Sequence, residues 1–324
     1  MSTSPLRLSR VPLLLCLALD ACSQRKEPEL TAPAAVAAPA PPSAPALDAQ
    51  LIGERLGATP RALPGGALAV SVPRSGVAWK VEGSAVVNAL STELLLWPVA
   101  EGAALSGSVE LLEDEVNPVL DTLLAHGIRV VGLYNRQLYD EPRVLVLRFE
   151  GHGNPALLAS GCQSISSVLR DARLRSGKPL RELPGDAPLP GTLDADALSG
   201  LLGVTATTAD GVVTFEVPRP ASETGASAPG MPVPGAPMPA GPLLHASLSG
   251  SDARAALSGT LLLSAPQIVP TLTALRTANV QLVGLVPQDT QGDTGWYALY
   301  FRGKNNSLAL MRGLAQALIA RAQR

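Results

Sequence analysis

Apolar positions between residues 105 and 149 change period three times. Leu105–Leu112 reads as a strand. Val116, Val119, Leu120, Leu123 and Leu124 then fall at i, i+3, i+4, i+7 and i+8, one face of a helix. Ile128–Tyr134 and Val144–Phe149 return to strands. Asp114 stands where it could cap the helix, and Pro118 sits near its first turn, where a missing N–H is tolerated. Gly127 suits the cap at its far end. A last helix opens at Asn154-Pro155. Upstream, a helix over residues 47–57 ends at Gly57, strand Ala67–Val72 follows, and Val77–Val81 reads as a further strand.

The same pattern returns later in the chain. Leu105–Leu133 aligns without a gap to Leu257–Leu285, with ten of 29 positions identical, among them Gly107/Gly259, Pro118/Pro270 and Leu133/Leu285. Leu47-Asp48-Ala49 matches Leu193-Asp194-Ala195, and Val72-Pro73-Arg74 matches Val217-Pro218-Arg219. The second copy has its own helix at 193–203, a strand at Val212–Val217, a capping position at Ser264 and a helix end at Asn279. Colinearity on this scale implies duplication. The expected fold class is α+β, two tandem pseudo-symmetric repeats, each a mainly antiparallel sheet with helices. Each is a β-α-β-β-α core preceded by a helix and strand, with its helices on one face.

The ends of the pattern set the organisation. Arg7 and Arg10 precede a nine-residue apolar run, Val11–Leu19, too short to cross a membrane stably as a helix. Leu19-Asp20-Ala21-Cys22 follows, which resembles a bacterial lipobox, although Asp20 departs from its small or uncharged residue. The division is therefore a signal peptide over 1–21, lipidation at Cys22, and an Ala/Pro-rich linker over 22–46. The first repeat spans 47–175, a linker 176–192, and the second, degenerate repeat 193–324, with a Ser/Pro/Gly/Met-rich loop at 221–241. The expected body is exported and lipid-anchored in the cell envelope, periplasmic or on the outer surface.

Composition narrows the chemistry. A net charge of −2 with 16% charged residues carries no basic footprint for nucleic acid, and 3% aromatics leave few stacking platforms. Cys16 falls in the leader and Cys22 at the lipobox, so Cys162 is left alone and reads as core beside Leu158, Ile165 and Leu169. His126, His152 and His245 share no metal-ligand spacing. The Gly-rich turns at 151–154 and 303–307 lack the full spacing of a phosphate loop. Glu113, Asp114 and Glu115 suit a helix N-terminus electrostatically. No catalytic, metal or cofactor constellation is expected.

The stretch Leu111–Phe149, with its Glu-Val-Asn-Pro-Val run and a Pro-Arg before the last strand, resembles the LppY/LpqO family of bacterial exported proteins, a domain of unknown function. The likeness covers most of residues 47–173 and, more faintly, 193–321. The resemblance implies a His-Asn-His run after the helix and a further His on the next strand. Together with the Glu at the helix start, these could make a metal site. Here those places hold Tyr134-Asn135-Arg136 and Arg148, and in the second copy Val286-Pro287-Gln288 and Tyr300, while Glu115 becomes Gln267. Arginine does not give up its proton to become a ligand, so a centre of that design is absent.

Tyr134, Arg136 and Arg148 are expected on one sheet face, where two guanidiniums beside a phenol could bind a carboxylate or phosphate. The competing reading leaves both arginine side chains in water at strand ends, or pairs them with Glu150, Glu141 or Asp140. The expected function is a non-enzymatic binding or interaction module of the cell envelope, tethered to a membrane by lipid. Its partner would be an envelope protein or a small anionic ligand. The alternative is a metal-dependent or hydrolase-like enzyme with a rearranged site. A structural envelope protein without a ligand is the third possibility.

Overall fold

A computed structural model describes residues 46–74, 76–85, 90–176, 183–220, 241–288 and 295–323. The signal peptide, Cys22, the linker up to residue 45 and loop residues 221–240 lie outside these. In chain order the first part comprises α1 (Ala49–Leu56), β1 (Arg61–Ala62), β2 (Leu68–Arg74), β3 (Lys80–Val81), β4 (Ser84–Ala85), β5 (Leu90–Val99) and β6 (Gly102–Leu112). It continues through α2 (Val116–Ala125), β7 (Arg129–Asn135), β8 (Asp140–Glu141), β9 (Val144–Gly153) and α3 (Pro155–Ser176). The later part comprises α4 (Ala195–Leu202), β10 (Thr207–Ala209), β11 (Val212–Val217), β12 (Leu244–Gly250) and β13 (Ala255–Ser264). It ends with α5 (Ile268–Thr277), β14 (Gln281–Pro287), β15 (Trp296–Asn305) and α6 (Ser307–Ala322).

Twelve strands form one antiparallel sheet in the order β1-β2-β5-β6-β9-β7-β14-β15-β13-β12-β11-β10, while β4, β3 and β8 make a small second sheet. The protein is thus a mixed α+β fold. The helices pack on one face of the large sheet around a continuous apolar core that includes Ile52, Leu94, Leu123, Phe149, Leu198, Leu272, Phe301 and Leu314. The opposite face stays open, and β5 shows the consequence: buried and exposed residues alternate strictly from Thr92 to Trp97.

Local chemistry explains most boundaries. Asp48 and Asp194 accept the N–H groups of Leu51 and Ala197 at 2.9 and 3.0 Å, and Gly57 and Gly203 close the same helices in the left-handed conformation. Gly127 and Asn279 take positive φ just past α2 and α5. Asn154 accepts the N–H of Ala156 at 2.9 Å where α3 begins. Close packing explains Gly107: a Cβ there would stand 2.3 Å from Phe149, whose ring is fully buried beneath it, and Gly259 stands likewise 2.5 Å from Phe301.

The structure corrects four expectations. Asp114 does not cap α2; its carboxylate is held by Arg173, and the turn is closed by Glu115, whose Oε2 accepts the N–H of Leu112 at 2.8 Å. Val77–Val81 is strand only at Lys80–Val81. His152 lies inside β9 opposite Ala104, not in a turn. The ten-residue strand β5 has no counterpart in the sequence reading, because its outward positions Leu95 and Trp97 are apolar and blur the period of two.

Candidate functional site

The open face carries a shallow concavity of about 380 Å³, lined by Glu93, Leu95, Ser106, Ser108, Tyr134 and Arg148 together with Leu94 and Gly107. Register places its charged residues. Glu93 stands opposite Ser108, Ser108 opposite Arg148, and Arg148 opposite Gly132, so the four form one row across β5, β6, β9 and β7. Tyr134 lies one step along β7, opposite Val146 and 46% exposed. Two residues of the expected anion site, Tyr134 and Arg148, are therefore brought together.

Arg136 is drawn elsewhere. Its Nε forms an ion pair with Glu110 at 2.9 Å, and its guanidinium lies 4.5 Å from the centroid of the Trp79 ring. Trp79 is buried with Leu90, Leu112 and Val144 in a small cluster beneath the second sheet. Arg136 thus clamps that sheet to the large one by charge and by cation–π contact, and it does not line the concavity. Its partner Glu110 was not among the carboxylates weighed from sequence. Glu110 comes from β6, and only the strand order β6-β9-β7 reveals its proximity.

The surroundings of Arg148 are already neutralised by other arginines. Glu150, next on the same face of β9, pairs with Arg129 at 2.8 Å. Glu110, diagonal to Arg148 on β6, gives one oxygen to Arg136 and the other to the N–H of Ser91 at 3.0 Å. Among the described residues Arg148 makes no hydrogen bond or ion pair, although it is exposed and lines the concavity. Glu93 accepts the Ser71 hydroxyl at 2.6 Å and likewise makes no ion pair among the described residues.

Sequence reasoning did not foresee the fate of Glu115. It is fully buried, takes both terminal nitrogens of Arg74 at 2.7 and 2.5 Å, and faces Arg173 Nε at 2.8 Å. Each oxygen is occupied, so this carboxylate is a structural anchor joining β2, α2 and α3, not a ligand held toward solvent. Cys162 is also structural: burial raises its thiol from 9.0 to about 12, so it stays protonated at neutral pH. His126 Nδ1 lies 2.9 Å from the carbonyl of Thr122, and His245 lies 3.2 Å from Glu216. Among the described residues no three His, Cys, Asp or Glu side chains converge as a metal ion would need. No helix among the described residues is long and apolar enough to cross a membrane.

A family model described as "Domain of Unknown Function (DUF1259)" matches residues 50–168. No curated protein matches the chain. Among solved structures, similarity is found to the trimeric bacterial microcompartment shell protein PduB, at 12% identity over 81% of this chain and 89% of that one, with a TM-score of 0.19. The double ringed trimeric shell protein MSM0271 from the RMM microcompartment matches at 16% identity, 70% and 87% coverage and a TM-score of 0.19. EtuB from Clostridium kluyveri matches at 11%, 80% and 88%, with a TM-score of 0.17. Superposition this poor carries no weight for function.

Proposed function

We propose that this chain is a non-enzymatic binding module of the cell envelope, tethered by lipid at Cys22, whose open sheet face takes a small anionic ligand at Arg148. The observation that carries the reading is the state of Arg148. Arg129 and Arg136, its neighbours on the face, each hold a carboxylate. Arg148 has none among the described residues, yet projects into a concavity with the Tyr134 phenol and the Ser106 and Ser108 hydroxyls. A guanidinium with hydroxyl donors around it recognises a carboxylate or phosphate.

The module is read as two copies of one unit, and as a diverged member of the LppY/LpqO family. Strand order supports the duplication. Outward from the centre run β7-β9-β6-β5-β2-β1 on one side and β14-β15-β13-β12-β11-β10 on the other. The two halves meet where Leu133 pairs with Leu285, residues that are also matched in the sequence alignment. By the same register Glu93 corresponds to His245, Ser71 to Glu216, Tyr134 to Val286 and Arg148 to Tyr300. The second copy therefore offers no guanidinium at this place, which puts one anion site on each chain.

Calorimetric titration of the chain with inorganic phosphate and with succinate tests the reading. Saturable binding that disappears in Arg148→Gln, with the circular dichroism spectrum unchanged, is the expected result. Equal binding by the variant removes Arg148 from the site. No binding of either anion rejects simple-anion recognition.

A further inference from the structure

Resting on the reading of Arg148 as an anion anchor, we propose that the concavity recognises a zwitterion, specifically the two free ends of a short peptide. One rim carries the Arg148 guanidinium and the other the Glu93 carboxylate, with Ser108 between them in the same row. Both are exposed, and neither has an ion-pair partner among the described residues. An anion-only site gains nothing from an exposed carboxylate in its wall, whose field opposes the ligand. A ligand with an ammonium group turns the same carboxylate into a second anchor.

Glu93 is set up for that task. Ser71 donates its hydroxyl to Oε1 at 2.6 Å, which fixes the carboxylate and leaves the other oxygen for a donor from outside. The separation selects the ligand's length. Two strand spacings put the Cα atoms of Glu93 and Arg148 about 10 Å apart, and side chains on strands stand roughly perpendicular to the sheet. A free amino acid, with its charges on one carbon, is too short to reach both. A dipeptide in extended form spans about 7 Å by backbone geometry, which fits once the two side chains lean inward. The Ser108 hydroxyl lies between the anchors for its amide, with Ser106 one step along β6 opposite Leu95, and Leu95 and Tyr134 offer apolar surface for its side chains.

The corresponding row in the second half lacks this dipole. His245 replaces Glu93 and is already joined to Glu216 at 3.2 Å, while Tyr300 replaces Arg148. The expected stoichiometry is one peptide per chain.

The experiment is calorimetric titration of the full chain with L-alanyl-L-alanine, its N-acetyl form and its C-terminal amide, repeated on Glu93→Gln and Arg148→Gln. Both side chains are exposed, so neither variant disturbs the core, and matching circular dichroism spectra and melting temperatures check this. The free dipeptide is expected to bind at one site, with either blocked form weaker by about tenfold or more, the loss of one charge-assisted contact. Glu93→Gln should erase the difference between free and acetylated peptide, and Arg148→Gln the difference between acid and amide. Acetylated and free peptide binding equally to the native chain, while the amide fails, overturns the zwitterion and leaves the anion reading intact. Amide binding as well as the free acid overturns the zwitterion, and the anion reading falls with it only where phosphate and succinate also fail to bind. Absence of binding by all three at millimolar concentration, with phosphate or succinate still held, again overturns the zwitterion alone.

Discussion

The side-chain amide of Asn117 closes a two-point hydrogen bond on the backbone of Leu282, donating to its carbonyl at 3.1 Å and accepting its N–H at 2.8 Å. Asn117 lies in the first turn of α2 and Leu282 at the bulge of β14, 165 residues later, and both are buried. β14 meets its central neighbour β7 at Leu133 and Leu285, so this amide supplies pairing that the irregular strand cannot. The corresponding residue in the second half is Val269, which makes the contact one-sided.

Replacing Asn117 by alanine strands a buried donor and a buried acceptor. Leaving such groups unmade costs about 1–3 kcal/mol each, so a loss of about 2–4 kcal/mol is expected, read as a lower urea midpoint with an unchanged slope. A midpoint within error of the native chain would show that the seam is held by packing alone.

Glu115 neutralises Arg74 and Arg173 in a site where it is itself fully buried. Glu115→Gln keeps the bond to the Leu112 N–H, as Gln267 keeps the equivalent bond to Ser264 at 2.9 Å, but leaves two half-buried guanidiniums without their central charge. Breaking a buried pair in this way costs about 3–5 kcal/mol. Thermal unfolding should therefore shift down by several degrees, and a change of less than a degree would show that Asp114 and solvent suffice.

Cys162 couples stability to alkali. The folded thiol keeps its proton up to about 12, whereas the unfolded thiol releases it near the ordinary 9.0. Between those values the folded state binds more protons, so its stabilising contribution is complete below pH 9 and falls as pH rises toward 12. In a chain carrying Cys16→Ala and Cys22→Ala, an alkylating reagent at pH 8 should label nothing until urea unfolds the protein. The fall of stability above pH 9 should be shallower once Cys162→Ala is added. Rapid labelling of the folded chain would contradict the burial.

Lipidation at Cys22 predicts incorporation of labelled palmitate in a bacterial host and partition of the chain into the detergent phase. Cys22→Ala should abolish both and release the protein in soluble form. Retention of label by the variant would move the attachment elsewhere.

Much of the local structure was legible in the chain. Gly57, Gly203, Gly127 and Asn279 act within a few residues of themselves, so their capping roles follow from residue type and position, whereas the N-caps Asp48 and Asp194 emerge only in the structure. The helical faces of α2 and α5 follow from spacing, because one side of each meets the core. β5 stayed hidden since apolar side chains occupy its solvent-facing positions, a choice made by the open face and not by the strand. Asp114 looked like a cap because sequence does not show that Arg173, 59 residues away, arrives beside it.

The candidate site divides the same way. The sequence already placed Tyr134 and Arg148 on the outward face of neighbouring strands, because period is a property of short segments. It could not separate Arg136 from Arg148, two arginines of equal standing. Only the tertiary order β5-β6-β9-β7 decided that Glu110 and Trp79 take the first and that the second faces Glu93 across Ser108. Charge pairing acts through space over a few ångströms, and which side chains come that close is fixed by strand order.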